Sequence, residues 1–141
     1  KVFKHASAIW NGTVPAGTGS MKLGRAGEVL PFSLKSRVED VPMTNPEELI
    51  GAAHAGCFSM ALSSLIEEEG KVPGTVETSA KVTLEQRDDG FWISEINLIT
   101  RGSNQAMTND EFVALAEKAK TTCPVSKLYS SATITLDAAL A

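Results

Sequence analysis

Metal ligands and nucleophiles are scarce in this sequence. Its 141 residues hold two histidines, His5 and His54, and two cysteines, Cys57 and Cys123. Neither CxxC nor HExxH occurs, which argues against a zinc site and against a thioredoxin-type dithiol motif. Gly17-Thr18-Gly19 reads as a turn, and no phosphate-binding loop is present. Lysines and arginines are scattered and the formal net charge is −4, so nothing tracks a phosphate backbone and nucleic acid is not an expected partner. Repeats, linkers and low-complexity tracts are also missing. One weakly polar stretch is long, residues 49–66. It is rich in Ala, Gly and Ser, contains His54 and runs into Glu67-Glu68-Glu69, so it reads as a buried helix and not a membrane span. The opening Lys1-Val2-Phe3-Lys4-His5 carries no secretory signal, and the expected setting is the cytosol. There a purely structural disulfide is unusual, so the two cysteines are either inert core, redox-active or metal-binding. No cofactor or metal is expected.

What is present suits one globular domain spanning residues 1–141, with 43% hydrophobic and 21% charged residues. Residues 2–10 and 29–38 alternate apolar with polar, and Asn11-Gly12, Pro15-Ala16-Gly17 and Ala26-Gly27 mark turns. An antiparallel sheet of about three short strands is expected there. Asn45-Pro46-Glu47-Glu48 writes a helix start: Asn45 as N-cap, Pro46 at the first helical position, Glu48 closing a capping box. The helix is expected to carry Ile50, Ala53, Cys57, Met60, Ala61, Ser64 and Leu65 on its apolar stripe and to stop at Gly70. Residues 76–87 and 91–101 read as a hairpin turned by Asp88-Asp89-Gly90. A second helix starts at Thr108 and presents Phe112, Leu115, Ala116 and Ala119. A short helical turn after Cys123-Pro124 and a last strand at residues 131–136 complete an α+β fold, antiparallel sheets around a long central buried helix.

Cys57, mid-helix among small residues, is either a small buried hydrophobe or a reactive thiol with space above it. If Pro124 opens a short helix, Cys123 occupies its N-cap, where backbone N–H groups would stabilise a thiolate. A peroxidatic thiolate needs a cation beside it and a second thiol to capture the sulfenic acid. Arg25, Arg37, Arg87 and Arg101 are the candidate cations, and each is also readable as a solvated surface charge. His54, three residues before Cys57, reads as a buried hydrogen-bonded ring that tunes the thiolate, and less well as a catalytic base. Trp10, Phe32, Phe58, Phe91, Trp92 and Met60 are expected in the core, at an interface, or lining an apolar funnel over Cys57.

The run from Thr44-Asn45-Pro46-Glu47-Glu48 through His54-Ala55-Gly56-Cys57-Phe58-Ser59-Met60-Ala61-Leu62 closely resembles the signature of the OsmC/Ohr family. Thr121-Thr122-Cys123-Pro124-Val125-Ser126 resembles its second cysteine motif. His54 and Asn45-Pro46-Glu47-Glu48 look like the OsmC branch. The resemblance implies an intertwined homodimer with two active sites at the subunit interface, reducing hydroperoxides, organic ones especially. Carried over, Cys57 is the peroxidatic residue, Cys123 the resolving one, and Arg37 with Glu47 the charged pair, with Arg25 the runner-up to Arg37. It also implies an external dithiol reductant, in some relatives a lipoylated protein. Ten residues of helix separate Glu47 from Cys57, about 15 Å of rise, so the glutamate beside a Cys57 most simply comes from the other subunit. Two other readings stay open: a redox-sensing or ligand-binding dimer without rapid turnover, and a structural dimer with inert cysteines.

Overall fold

The computed structural model describes residues 1–24 and 27–141. It divides into two compact units, residues 1–49 and 50–141. In the first, β1 (Ala6–Asn11), β2 (Thr18–Leu23) and β3 (Val29–Phe32) form an antiparallel sheet in the order β1-β2-β3. The three expected strands are there, and the part of the Ala26-Gly27 turn at residue 26 lies outside the described residues. The alternation across 29–38, however, is only half strand. Residues Leu34–Val38 form a short helix, α1, because Ser33 starts a capping box: its hydroxyl accepts from the Ser36 N–H at 3.1 Å and its own N–H donates to Ser36 Oγ at 3.0 Å. Two orphan backbone donors are satisfied locally, and that outweighs a period-2 pattern too short to bind a neighbour.

Helix α2 (Pro46–Glu68) begins where the cap residues place it, with the Glu48 N–H donating to Asn45 Oδ1 at 2.7 Å. It ends before Gly70, whose φ of 74° is open to glycine at little cost. The second unit adds β4 (Thr75–Arg87), β5 (Gly90–Ser103), α3 (Asn109–Thr122), α4 (Pro124–Leu128) and β6 (Thr133–Leu140). β4 and β5 form the expected hairpin. β6 pairs with β5 in parallel, so this sheet is mixed and not antiparallel throughout, and the final strand runs four residues past 136. The α3–α4 segment is the crossover that a parallel pair requires.

The core of the second unit is formed by Phe58, Leu62 and Ile66 of α2, Ile96 and Leu98 of β5, and Phe112, Ala116 and Ala119 of α3. Gly51 lets α2 lie close on β4, since a Cβ there would sit 3.1 Å from Val82 Cγ2. The buried face of α2 is the row His54, Phe58, Leu62, Ile66, and not the expected stripe through Ala53, Met60 and Ser64, all of which are exposed. Apolar residues surround this helix with almost no preferred side, so periodicity could not choose the face. By length and composition α2 would also suffice to cross a membrane. The core row it contributes is that of a helix packed against a sheet. Of the aromatic residues and the methionine expected in the core, at an interface or lining a funnel, Phe58 is in the core, and Phe91, Trp92 and Met60 are exposed in the single chain.

Candidate active site

Two groups of side chains carry chemistry, one in each unit. In the first unit, α1 presents Arg37 and the first turn of α2 presents Glu47. The Arg37 Nε donates to Glu47 Oε1 at 3.1 Å and to Oε2 at 3.3 Å, and Nη2 donates to Oε1 as well. The Glu47 side chain is 8% exposed and that of Arg37 39%, so the carboxylate is the fixed partner and the guanidinium keeps a free edge. Such a forked pair holds the planar cation in one orientation. Beside it lies a pocket of ≈ 280 Å³ lined by Trp10, Val14, Phe32, Ser33, Leu34 and Arg37. The Trp10 and Phe32 rings, both in its lining, pack together with centroids 5.5 Å apart. Gly19 permits this, because a Cβ there would come within 2.6 Å of both rings. Arg25, the other candidate arginine, lies outside the described residues. Arg87 is bound to Glu85 over Trp92, and Arg101 to Asp137, both on the surface.

In the second unit, α2 brings Cys57 against Cys123 at the junction of α3 and α4. Both thiols are free, with the sulfurs 2.8 Å apart. Their exposure differs: Cys57 is partly accessible and Cys123 fully buried. Burial, and then the neighbouring Cys123 thiol, push the Cys57 pKa up; the Val125 backbone N–H, which donates to its sulfur, pulls it down. Within this unit no cation acts on it among the described residues.

Cys123 does occupy the N-cap of α4, with Pro124 following, but its side chain makes no cap hydrogen bond. The first-turn backbone donor of α4, the Val125 N–H, bonds the Cys57 sulfur instead. His54 is fully buried, with Nε2 2.7 Å from Ser126 Oγ and its ring edge-on to Tyr129 at 5.4 Å. It does not touch Cys57 as a base would. Ser126 appeared in the sequence only as the end of the second cysteine motif, with no role attached, and Tyr129 carried no signal.

Among the described residues no cluster of His, Cys, Asp and Glu is suited to a metal. The sequence-expected residues are thus brought together in two pairs, Arg37 with Glu47 and Cys57 with Cys123. A fixed guanidinium beside an apolar pocket suits a polar head with an organic tail. An accessible thiol over a buried one suits oxidation followed by disulfide closure.

Comparison with known proteins is consistent with that chemistry. Residues 39–137 match the family described as OsmC-like protein. A protein named peroxiredoxin OsmC from Escherichia coli (strain K12) is 40% identical over 138 residues, covering 96% of this chain and 95% of that protein. The organic hydroperoxide resistance protein OhrA of Bacillus subtilis (strain 168) is 35% identical over 89 residues, 62% of this chain and 60% of its own. Among solved structures, an organic hydroperoxide resistance protein from Elizabethkingia anophelis shares the fold with a TM-score of 0.77 at 23% identity, covering 100% of this chain and 99% of that one.

Proposed function

This chain belongs to the OsmC family, and from that premise we propose that it is a thiol-dependent peroxidase that reduces organic hydroperoxides, and hydrogen peroxide too, in oxidative or osmotic stress defence. The observation that carries the reading is the unequal pair of thiols, Cys57 partly open and Cys123 buried 2.8 Å away. A peroxide can approach Cys57. Its thiolate attacks the O–O bond, giving Cys57 sulfenic acid and an alcohol. The Cys123 thiol then displaces water from the sulfenic sulfur, leaving a Cys57–Cys123 disulfide. An external dithiol, for which a lipoylated protein is the candidate, restores both thiols.

The attacking sulfur must be ionised near neutral pH, yet burial in its own unit pushes the Cys57 thiol the other way. A cation has to be supplied. Arg37, aimed by Glu47, is the residue we assign to that role. α2 is unbroken from Glu47 to Cys57, and the ten intervening steps amount to about 15 Å of rise. We therefore infer a homodimer in which the Arg37–Glu47 pair of one copy serves the Cys57 of the other. The α2 face formed by Ala52, Ala53, Gly56 and Met60 supports this: all four are exposed, and a Cβ on Gly56 would meet nothing within 4 Å. The apolar pocket beside Arg37 would take the organic tail. α2 runs unbroken from Pro46 to Glu68, which supports a single domain, and a redox-active cysteine pair suits the reducing cytosol.

The raised Cys57 pKa also favours a second reading, a redox-sensing dimer that oxidises without rapid turnover. Intact mass under non-reducing conditions, after one equivalent of cumene hydroperoxide, tests both. Wild type should lose two hydrogens rapidly, Cys123→Ser should gain oxygen, and Cys57→Ser should not react. A wild type that stays reduced defeats the peroxidase; slow, non-cycling oxidation favours the sensor.

A further inference from the structure

We propose that His54 is a positioning residue for the resolving step: through Ser126 it fastens the first turn of α4 to α2 and so keeps the Cys123 thiol over the Cys57 sulfur. This deepens the two-cysteine reading and rests on it.

The α2 row that faces the core is His54, Phe58, Leu62 and Ile66, spaced by four and all 0% exposed. Three members are apolar and the fourth is not. Its Nε2 reaches Ser126 Oγ at 2.7 Å, and Ser126 is itself buried. Among the described residues its Nδ1 has no partner. A buried ring with one orphan nitrogen costs folding free energy that a leucine in the same row would not, so the position asks for an explanation other than packing. Burial holds the imidazole below its usual pKa, and the neutral ring can bond a hydroxyl in either tautomer.

The register supplies the explanation. His54 precedes Cys57 by three residues on α2, and Ser126 follows Cys123 by three at the start of α4. Two cross-links therefore join the same two segments one helical turn apart, the thiol pair and the His54–Ser126 bond. Between them the Val125 N–H reaches the Cys57 sulfur. α4 is five residues long and its N-cap side chain makes no cap bond, and so short a helix has little stability of its own. Its placement depends on what fastens it. Tyr129, at its far end, lies edge-on to the same histidine ring.

Closure requires the Cys123 sulfur to attack the Cys57 sulfenic sulfur. The S–S bond forms, the S–O bond breaks, and hydroxide leaves with the thiol proton as water; the sulfenic sulfur is reduced and the thiol sulfur oxidised. If α4 loosens, the sulfenic acid survives until a second peroxide oxidises it to sulfinic acid. The partition between disulfide and sulfinic acid thus reads the position of Cys123.

The test is rapid-quench intact mass on the full chain with excess cumene hydroperoxide. Ser126→Ala should raise the ratio of sulfinic acid to disulfide by about 10- to 100-fold, the range that a displacement of about 1 Å brings. His54→Gln, whose amide can still meet Ser126, should keep a ratio near wild type. In a Cys123→Ser background the first oxidation of Cys57 should slow much less than closure does. Should Ser126→Ala fail to fold, His54→Leu, apolar like the rest of its row, carries the same expectation as Ser126→Ala. An unchanged ratio, or equal slowing of both steps, overturns the proposal. A wild type inert to peroxide defeats the peroxidase reading instead. Closure of the reduced dithiol by diamide then still reads His54, since Ser126→Ala must slow it relative to wild type and equal rates overturn the proposal.

Discussion

Among the described residues, only one of the two units buries apolar side chains. Within residues 1–49 the buried positions among those described are Ser36, Asn45 and Glu47, all polar, while Val2, Phe3, Ile9, Val14 and Val29 each stand more than half exposed. Within residues 50–141 lie all the buried hydrophobic residues among those described, from Phe58 to Cys123, beside the buried polar His54, Thr100 and Ser126. A stretch of 49 residues without an apolar core falls short of what folding requires. Its order must come from surfaces beyond its own, and a second copy of the chain is the occupant proposed above. The division also separates roles: the coreless unit carries the charged pair and the pocket, and the cored unit carries the thiols in a packed setting that limits their movement.

The contrast is sharpest in stability. Phe112→Ala empties a 0%-exposed site against β5 and α2 and should cost about 3–5 kcal/mol by urea unfolding. Ile9→Ala, at a site 63% exposed, should cost less than about 0.5 kcal/mol at concentrations where the chain is monomeric. A larger loss that appears only as concentration rises would locate Ile9 in the subunit interface. A large loss in the monomer would break the comparison.

Next in size is the division of chemistry between the units. Arg37→Ala should lower peroxide reduction by about 10²- to 10³-fold, as removal of a preorganised stabiliser does, and should move the pH midpoint of Cys57 alkylation upward. Mixing Arg37→Ala with Cys57→Ser should restore activity, because the mixed dimer regains one complete site. No recovery on mixing would place the pair and the thiol in the same chain. Smaller again, Asn45→Ala removes the acceptor for the Glu48 N–H at the start of α2 and should cost about 1 kcal/mol.

Features that depend on neighbouring residues were readable from the sequence. The Asn45-Pro46 cap, the Thr108 cap, the turn before Gly90 and the stop before Gly70 all satisfy backbone groups within a few positions, and all stand where the residues put them. The missed helix α1 also has a local cause, the Ser33–Ser36 capping box, but the two larger failures depended on partners far along the chain. The α2 face is chosen by β5 and α3, since the helix is apolar all round. The parallel sense of β6 is set by the crossover between it and β5, a length that itself allowed the parallel pairing. The cysteines and the Arg–Glu pair were legible because their motifs are local. The His54–Ser126 bond joins positions 72 apart, and no spacing rule points to it.

The same histidine also makes stability depend on pH. The folded chain holds the His54 pKa below its ordinary value through burial alone, and Ser126 and Tyr129, the side chains packed against the ring, bring no charge to offset that. Well above the unfolded value the ring is neutral folded or unfolded and contributes no pH dependence. As pH falls through the unfolded value near 6.5, the unfolded chain takes up a proton that the folded chain refuses. The unfolded state then binds more protons, so stability falls with pH, by at most about 1.4 kcal/mol per unit from this one group. His54→Gln removes the term. Urea midpoints at pH 7.5 and 5.5 should therefore converge in the variant relative to wild type, with the wild type losing the greater share of its stability on acidification. Equal losses in the two proteins would mean that the ring accepts its proton inside the fold. The unpaired Nδ1 would then be the place for it, and the bond to Ser126 would be made by an imidazolium rather than by the neutral ring.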